Sequence, residues 1–366
     1  MVYRAIGLMS GSSLDGLDIA FVEFQEQAGK WSYEIKETAC YIYEEEWIAK
    51  LKNAIHLSAI DYQLLHAAYG HYIGQKVNEF IEDRQLHYQV ALIASHGHTT
   101  FHIPAKKMTA QLGDGAAIAA ETKLPVVTDL RAMDVAFGGQ GAPIVPIGEK
   151  LLMGEYDYFL NIGGIANISH NNPEKYSAFD ICPANRVLNM LANEAGKAYD
   201  DGGAMAESGT VNQSLLEKLN ALDYYKQPFP KSLANDFGTD IVYPIIKESG
   251  VVLNDALRTF VEHIILQTAN AIGALGYQKS KSGNPKLLVS GGGTYNKFLI
   301  HRLKENLQNH NIEVVIPEGN MIGYKEALIM AFMGVLRWRQ EYNVLSSVTG
   351  SSRDSIGGAL WIGEEA

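Results

Sequence analysis

The sequence predicts an α/β protein of two lobes, and three observations point there. At 366 residues the chain is long for one hydrophobic core, which stops growing at roughly 250–300 residues. Short apolar runs that read as buried strands alternate with longer stretches of helical spacing. Three of the strand patterns run straight into glycine-rich turns, at Gly11 to Gly16, at Gly163-Gly164 and at Gly291 to Gly293. Hydrophobic residues make up 47% of the chain and charged residues 19%, a balance that belongs to a folded protein rather than a disordered one.

Taken in order, residues 4–9 form the first strand and residues 17–24, across the glycine turn, complete a hairpin. Helical spacing fills about 45–83. Residues 90–94 read as a buried strand entering Ser95-His96-Gly97, residues 115–122 as a helix and residues 124–127 as a strand. The run Gly138-Gly139-Gln140-Gly141-Ala142-Pro143 turns into a helix at 145–153 and sets the expected boundary. On this reading, residues 1–144 with about 342–366 make the N-terminal lobe and residues 145–341 the C-terminal lobe.

Beyond the boundary the opening arrangement recurs, with strands at 158–162 and 165–169 around Gly163-Gly164, then a strand at 176–181 that carries Asp180. Residues 286–289 run into Ser290-Gly291-Gly292-Gly293. A helix at 296–307, a strand at 312–316 and an amphipathic helix at 324–341 precede a Ser/Gly-rich end.

A formal charge of −11, from 41 acidic against 30 basic residues, disfavours non-specific binding to nucleic acid or an anionic membrane surface. The two cysteines, Cys40 and Cys182, lack CxxC spacing, so neither a disulfide framework nor a cysteine zinc site is expected. The N-terminus lacks the long apolar region of a secretory signal, and the most apolar helical stretch contains Arg258, Glu262 and His263, which are costly in lipid. The expectation is a cytoplasmic protein without a membrane span.

Glycine allows close backbone approach and turns amides toward an anion, so the three turns suit phosphate binding; ordinary tight hairpins are the alternative. Two of them recur in similar strand-turn-strand settings, one in each half, which favours a nucleotide held between related lobes. The third ends a strand and opens a helix, a setting suited to adenosine or phosphate. In the first turn Ser10, Ser12 and Ser13 offer hydroxyl donors. Asp15 and Asp18 can hold a metal ion through water or simply serve turn chemistry.

Asp180, near a strand end with Pro183 and Asn185 close behind, is placed either to orient and deprotonate a nucleophile or to form a turn. His96, His98 and His102 are closely spaced, but no acidic or sulfur partner accompanies them, so a polar strand-end loop touching substrate is preferred to a zinc site. Glu326 is either a cleft residue or an acid favoured by the start of a helix.

These residues carry a resemblance. The turn Gly7-Leu8-Met9-Ser10-Gly11-Ser12-Ser13-Leu14-Asp15-Gly16-Leu17-Asp18 is similar to the phosphate-binding opening of the anhydro-N-acetylmuramic acid kinases, with Ser12 where Thr is usual. Ser95-His96-Gly97-His98-Thr99 resembles the next motif, with His98 in place of Gln. Thr109-Ala110-Gln111-Leu112-Gly113-Asp114, Asp129-Leu130-Arg131 with Asp134, the run from Gly138 to Pro143, and Asn161-Ile162-Gly163-Gly164-Ile165-Ala166-Asn167 also match. So do Ser290-Gly291-Gly292-Gly293, Lys325-Glu326-Ala327 and Val348-Thr349-Gly350.

The resemblance implies the two-lobed actin-like ATPase fold, of ribonuclease H-like topology, with nucleotide and sugar in the interlobe cleft, ATP and Mg²⁺ as cofactors, and a homodimer. It implies nucleotide binding by Gly11, Ser12, Ser13, Leu14, Asp15, Gly16, Leu17, Asp18, Gly163, Gly164, Asn167, Gly291, Gly292 and Gly293. His96, Asp129, Arg131 and Glu326 would touch the sugar, and Asp180 would be the base. The implied reaction opens a 1,6-anhydro sugar with water while O6 takes the γ-phosphate of ATP.

The chain departs from the family where Asp-Thr-Gly-Pro-Gly-Asn becomes Asp180-Ile181-Cys182-Pro183-Ala184-Asn185, and where Asn189 replaces an acid. Co-adapted packing is the preferred explanation, with a changed substrate or weakened catalysis as the alternative. Rival functions are a kinase for another anhydro or ordinary sugar such as levoglucosan, and a non-catalytic nucleotide- or sugar-binding protein. A dinucleotide-binding oxidoreductase is disfavoured, because Asn296 stands where the third glycine of GxGxxG belongs.

Overall fold

The computed structural model describes residues 1–11, 13–172, 174–229, 231–234, 236–276, 283–317, 319 and 321–363. Its strands are β1 (Val2–Ser10), β2 (Leu17–Gln27), β3 (Lys30–Tyr41), β4 (Leu92–Ile103), β5 (Met108–Leu112), β6 (Val126–Thr128), β7 (Tyr158–Ile162), β8 (Ile165–His170), β9 (Ser177–Pro183), β10 (Lys286–Ser290), β11 (Glu313–Val315) and β12 (Ala359–Trp361). The chain forms two compact units, Met1–Met153 with Tyr324–Ala366, and Gly154–Gly323. Among the described residues no helix is long and apolar enough to cross a membrane.

The first unit is built on a sheet of order β12-β6-β4-β1-β2-β3, with β5 paired to β4. β1, β2 and β3 form an antiparallel meander, and β1, β4 and β6 run parallel. Alternation along β1 separates two layers. Ile6 and Leu8 join a core with Tyr69, Ile73, Val77 and Phe80 of the helix Ala59–Asp83. That helix starts at Ser58, whose hydroxyl accepts from the Asp61 amide. Gly7 faces the opposite layer, where a side chain would overlap the Ala327 carbonyl of the helix Met321–Trp338. Only glycine lets that helix lie so close to the sheet.

In the second unit the order is β11-β10-β7-β8-β9. β7, β8 and β9 form the antiparallel meander, and β7, β10 and β11 are parallel. Read outward from its meander, this sheet has the strand order of β3-β2-β1-β4-β6, so each unit is one ribonuclease H-like frame and the expected α/β duplication is present. The helix Leu253–Leu275 is buried along nearly its whole length against this sheet and the surrounding helices, which explains why it reads as so apolar.

The structure revises the sequence reading in several places. The expected helix at 45–83 is two helices, Glu45–Asn53 and Ala59–Asp83, separated by a short turn and the Ser58 cap. β3 was not predicted, because its charged residues face solvent; its half-buried positions Trp31, Tyr33 and Ile35 nonetheless alternate with exposed Lys30, Ser32, Glu34 and Lys36. β4 continues through Ile103, so His96, His98 and His102 lie within a strand and not in a strand-end loop; pairing with β5 sustains it. The division into units also differs from the expected one, since residues 145–153 and 324–341 cluster with the first unit.

Candidate active site

In the first unit the turn after β1 begins at Ser10, which is buried. Ser12 lies outside the described residues. The Ser13 hydroxyl donates to Asp15 Oδ1 at 2.7 Å, Leu14 has a φ of +57°, and Gly16 is pressed against Cys40 Sγ and the Tyr41 carbonyl, where a side chain would collide at 2.7–2.8 Å. Leu17 and Asp18 open β2, with Asp18 opposite Cys40. Burial pushes the Asp18 carboxyl up to about 6; the Cys40 thiol, donating a hydrogen bond, opposes the rise, while the charges of Asp15 and Glu326 add to it. The same burial holds the Cys40 thiol up at about 12.

A second group surrounds Arg131. Its Nε donates to His96 Nε2 at 2.8 Å, and its Nη1 to the Gly141 carbonyl at 2.5 Å. His96 Nδ1 lies 2.8 Å from the Gly97 carbonyl. Because Nε2 accepts, the ring proton sits on Nδ1 and is donated to that carbonyl. Burial first, and the Arg131 charge second, hold the His96 pKa down at about 3, so the imidazole stays neutral. Both ring nitrogens are occupied within the unit, and the imidazole orients the Arg131 guanidinium. Burial in turn lowers Arg131 to about 10, with the Glu326 charge acting in opposition. Asp129 follows β6 with a φ of +57° and accepts from Thr128 Oγ1 at 2.9 Å.

The glycine run from Gly138 to Pro143 is held by Asp134, a residue whose role sequence reasoning missed. Its fully buried carboxylate accepts from the Gly141 amide at 2.8 Å and from Thr349 Oγ1 at 2.6 Å. The Gln140 amide donates to the Thr349 carbonyl at 2.8 Å. Three of the quoted motifs therefore meet at one buried acceptor, and their shared task is to present the Gly141 carbonyl to Arg131. Nearby, Lys325 and Glu149 form a buried pair at 2.6 Å. Glu326 is the next residue along and is accessible to solvent; partial desolvation raises its carboxyl pKa, while the charges of Lys325 and Arg131 lower it.

In the second unit Asp180 sits on β9 opposite Asn167 of β8. Its Oδ2 accepts from the Leu233 amide at 2.8 Å and from the Ser232 hydroxyl at 3.1 Å. Its backbone donates to the Lys231 carbonyl and accepts from the Tyr224 hydroxyl. Burial raises the Asp180 carboxyl, opposed by the Leu233 and Ser232 hydrogen bonds. A carboxylate raised by burial and fixed at one oxygen is suited to take a proton. Sequence reasoning missed Tyr224 and the 231–233 strap; the only signal was the Gln227-Pro228-Phe229-Pro230 stretch before it.

Gly163 and Gly164 form the β7–β8 turn. Their carbonyls accept from the Asn185 and Ala184 amides at 3.0 and 2.8 Å, which docks the helix Asn185–Asn193 on the turn. Gly291, at φ +86°, and Gly293 press on Ile162, whereas Gly292 meets nothing closer than 3.6 Å. Ile181, Cys182 and Ala184 are all buried in the core of this unit. All three side chains pack behind the turn.

Two frames of one topology, with glycine turns after their strands, define the two-unit ATPase class of fold. Within it, the family model of anhydro-N-acetylmuramic acid kinase matches residues 3–363. The chain belongs to that family. It is 31% identical to the anhydro-N-acetylmuramic acid kinase of Photobacterium profundum, over 98% of this chain and 99% of that one. It is 32% identical to the enzyme of that name from Hydrogenovibrio crunogenus, over 97% of each. Among solved structures, the activator of the 2-hydroxyisocaproyl-CoA dehydratase from Clostridium difficile, with bound ADPNP, gives a TM-score of 0.46 at 11% identity, covering 92% of this chain and 96% of that one.

Proposed function

We propose that the chain is an ATP-dependent kinase that opens the 1,6-anhydro bridge of anhydro-N-acetylmuramic acid with water and phosphorylates O6, giving N-acetylmuramic acid 6-phosphate. Asp180 carries this reading: a half-buried carboxylate of raised pKa, held by Leu233 and Ser232, in a chain matched to the family from residue 3 to 363.

Asp180 takes a proton from the water that attacks the anomeric carbon. The bond from that carbon to O6 breaks, its electron pair stays on O6, and O6 accepts the γ-phosphoryl group as ADP leaves. Arg131, oriented by His96 and Gly141, with Glu326 and Asp129, would hold the sugar.

The turn from Gly11 to Asp18 in the first unit, and Gly163, Gly164, Asn167 and Gly291 to Gly293 in the second, would take the nucleotide. Asp15 and Asp18 fit an outer-sphere magnesium site, because the Asp15 charge raises the cost of charging Asp18 and a cation relieves it; the ion would offset phosphate charge. The cytoplasmic location, the homodimer and a place in cell-wall recycling belong to the same proposal. Incubation with ATP, Mg²⁺ and the anhydro sugar, followed by mass spectrometry in ¹⁸O-labelled water, tests the reaction. The expected product carries one ¹⁸O at the anomeric centre and the phosphate at O6, whereas phosphorylation of plain hexoses alone overturns the reading.

A further inference from the structure

We infer that His98 is a positioning residue for the nucleotide site, as the terminal acceptor of a buried hydroxyl chain that fixes Ser10 at the root of the glycine turn. The inference rests on the proposed binding of ATP by that turn.

Ser10, Tyr43, Tyr69 and His98 are 3%, 3%, 0% and 6% exposed. They come from β1, the segment after β3, the helix Ala59–Asp83 and β4. The Tyr43 hydroxyl donates to Ser10 Oγ at 2.8 Å and is also hydrogen-bonded to the Tyr69 hydroxyl. Ser10 Oγ lies 3.2 Å from His98 Nδ1.

A hydroxyl has one proton to give. Tyr43 spends its proton on Ser10, so Tyr69 supplies the one between the two tyrosines. Ser10, accepting from Tyr43, sends its own proton to Nδ1, and His98 carries its ring proton on Nε2. In the tautomer with the His98 ring proton on Nε2, the chain runs Tyr69 to Tyr43 to Ser10 to His98. Burial raises both tyrosines and lowers His98, so all four members are neutral.

Two consequences follow. The Ser10 hydroxyl, read from sequence as a phosphate donor, is already committed as donor and acceptor, and what it contributes is a fixed Cα. That contribution matters because the β1–β4 ladder shifts register between Leu8 and Ser10, and the turn beyond has one backbone bond among its described residues, Leu14 to Gly11 at 3.4 Å. The hydroxyl chain does on this side what the regular ladder does elsewhere.

Calorimetric titration with ATP, together with KM values for ATP and sugar and a thermal melt, tests this. His98→Leu keeps the volume and leaves the Ser10 proton without an acceptor; His98→Gln restores one. The expected result is an ATP Kd raised about tenfold in His98→Leu, as for a lost buried hydrogen bond, sugar KM within about twofold, and recovery to within about threefold in His98→Gln. Tyr43→Phe, which removes the donor to Ser10 and keeps the ring, should weaken ATP about threefold in the same direction. A lower melting point with ATP Kd unchanged in His98→Leu and Tyr43→Phe makes the chain purely structural and overturns the inference. Wild-type protein that fails to bind ATP overturns the inference and the nucleotide-site reading together.

Discussion

The two units close the same topological gap, the hairpin after the first strand of the meander, in opposite ways. In the first unit the β1–β2 turn runs from Gly11 to Gly16 and carries side-chain chemistry: Asp15 and Asp18 repel one another, and Gly16 is small because Cys40 and Tyr41 leave no room. In the second unit the β7–β8 turn is Gly163-Gly164 alone. There a side chain would meet protein atoms only at 3.5 Å or more, and neither glycine has a positive φ. Nothing in the second unit itself requires glycine at those positions. One frame has thus been used twice, once to present charges and once to present bare backbone, and the unexplained smallness of the second turn is what a closely approaching phosphate would require.

The largest effect should fall on Asp180, the second-unit carboxylate proposed as the base. Asp180→Asn keeps an oxygen to accept from Leu233 and Ser232, so the melting point should stay near wild type while kcat falls by about 10²–10⁴-fold, the usual worth of a general base. A loss of less than tenfold would move the base elsewhere. The glycines then divide the second unit further. Gly293→Ala drives a methyl into Ile162 and should cost about 1–3 kcal/mol of stability, as overpacked cores do. Gly164→Ala should melt like wild type and raise the KM for ATP about tenfold, or about 1.4 kcal/mol. If Gly164→Ala instead destabilises the protein and spares the KM, the contrast between the turns collapses.

In the first unit the matching test is His96→Ala, which strips Arg131 of its Nε acceptor. A hydrogen bond to a charged group is worth about 1.5–3 kcal/mol, so sugar KM should rise by at least about tenfold with ATP KM little changed. Equal rises in both constants would mean that His96 supports the unit as a whole.

How much of this was legible in sequence depended on whether a residue's partner lay nearby along the chain. The duplicated strand-turn-strand was readable because apolar run, glycine and apolar run are contiguous, and the helix Gly115–Thr122 was readable because it too is contiguous, its Asp114 cap lying directly before it. The role of Asp134 was not readable: Thr349 is 215 residues away, and only the fold brings them together. A separation of 52 and 53 residues likewise hides Ser232 and Leu233 from Asp180. β3 could have been found from its period of two. His96 differs for another reason, since exposure and burial look alike in a polar motif, and only the fold shows that both its nitrogens are occupied, one of them by Arg131.

The smallest expected effect compares the units through their buried titrating groups. His96 in the first unit and His263 in the second are both held near 3, chiefly by burial, against about 6.5 in an unfolded chain. Below pH 6.5 the unfolded state therefore binds protons that the folded state refuses, and stability falls as the pH drops toward 3. Asp18 works the other way. Its folded pKa of about 6 exceeds the ordinary aspartate value of 3.8, so between those values the folded state binds the extra proton and acidification is stabilising. Two histidines outweigh one aspartate, and the melting point should decline between pH 7 and 5. Asp18→Asn removes the opposing contribution and should make that decline steeper; a decline no steeper than wild type would mean that the Asp18 carboxyl is not raised in the folded protein and stays charged down to pH 5.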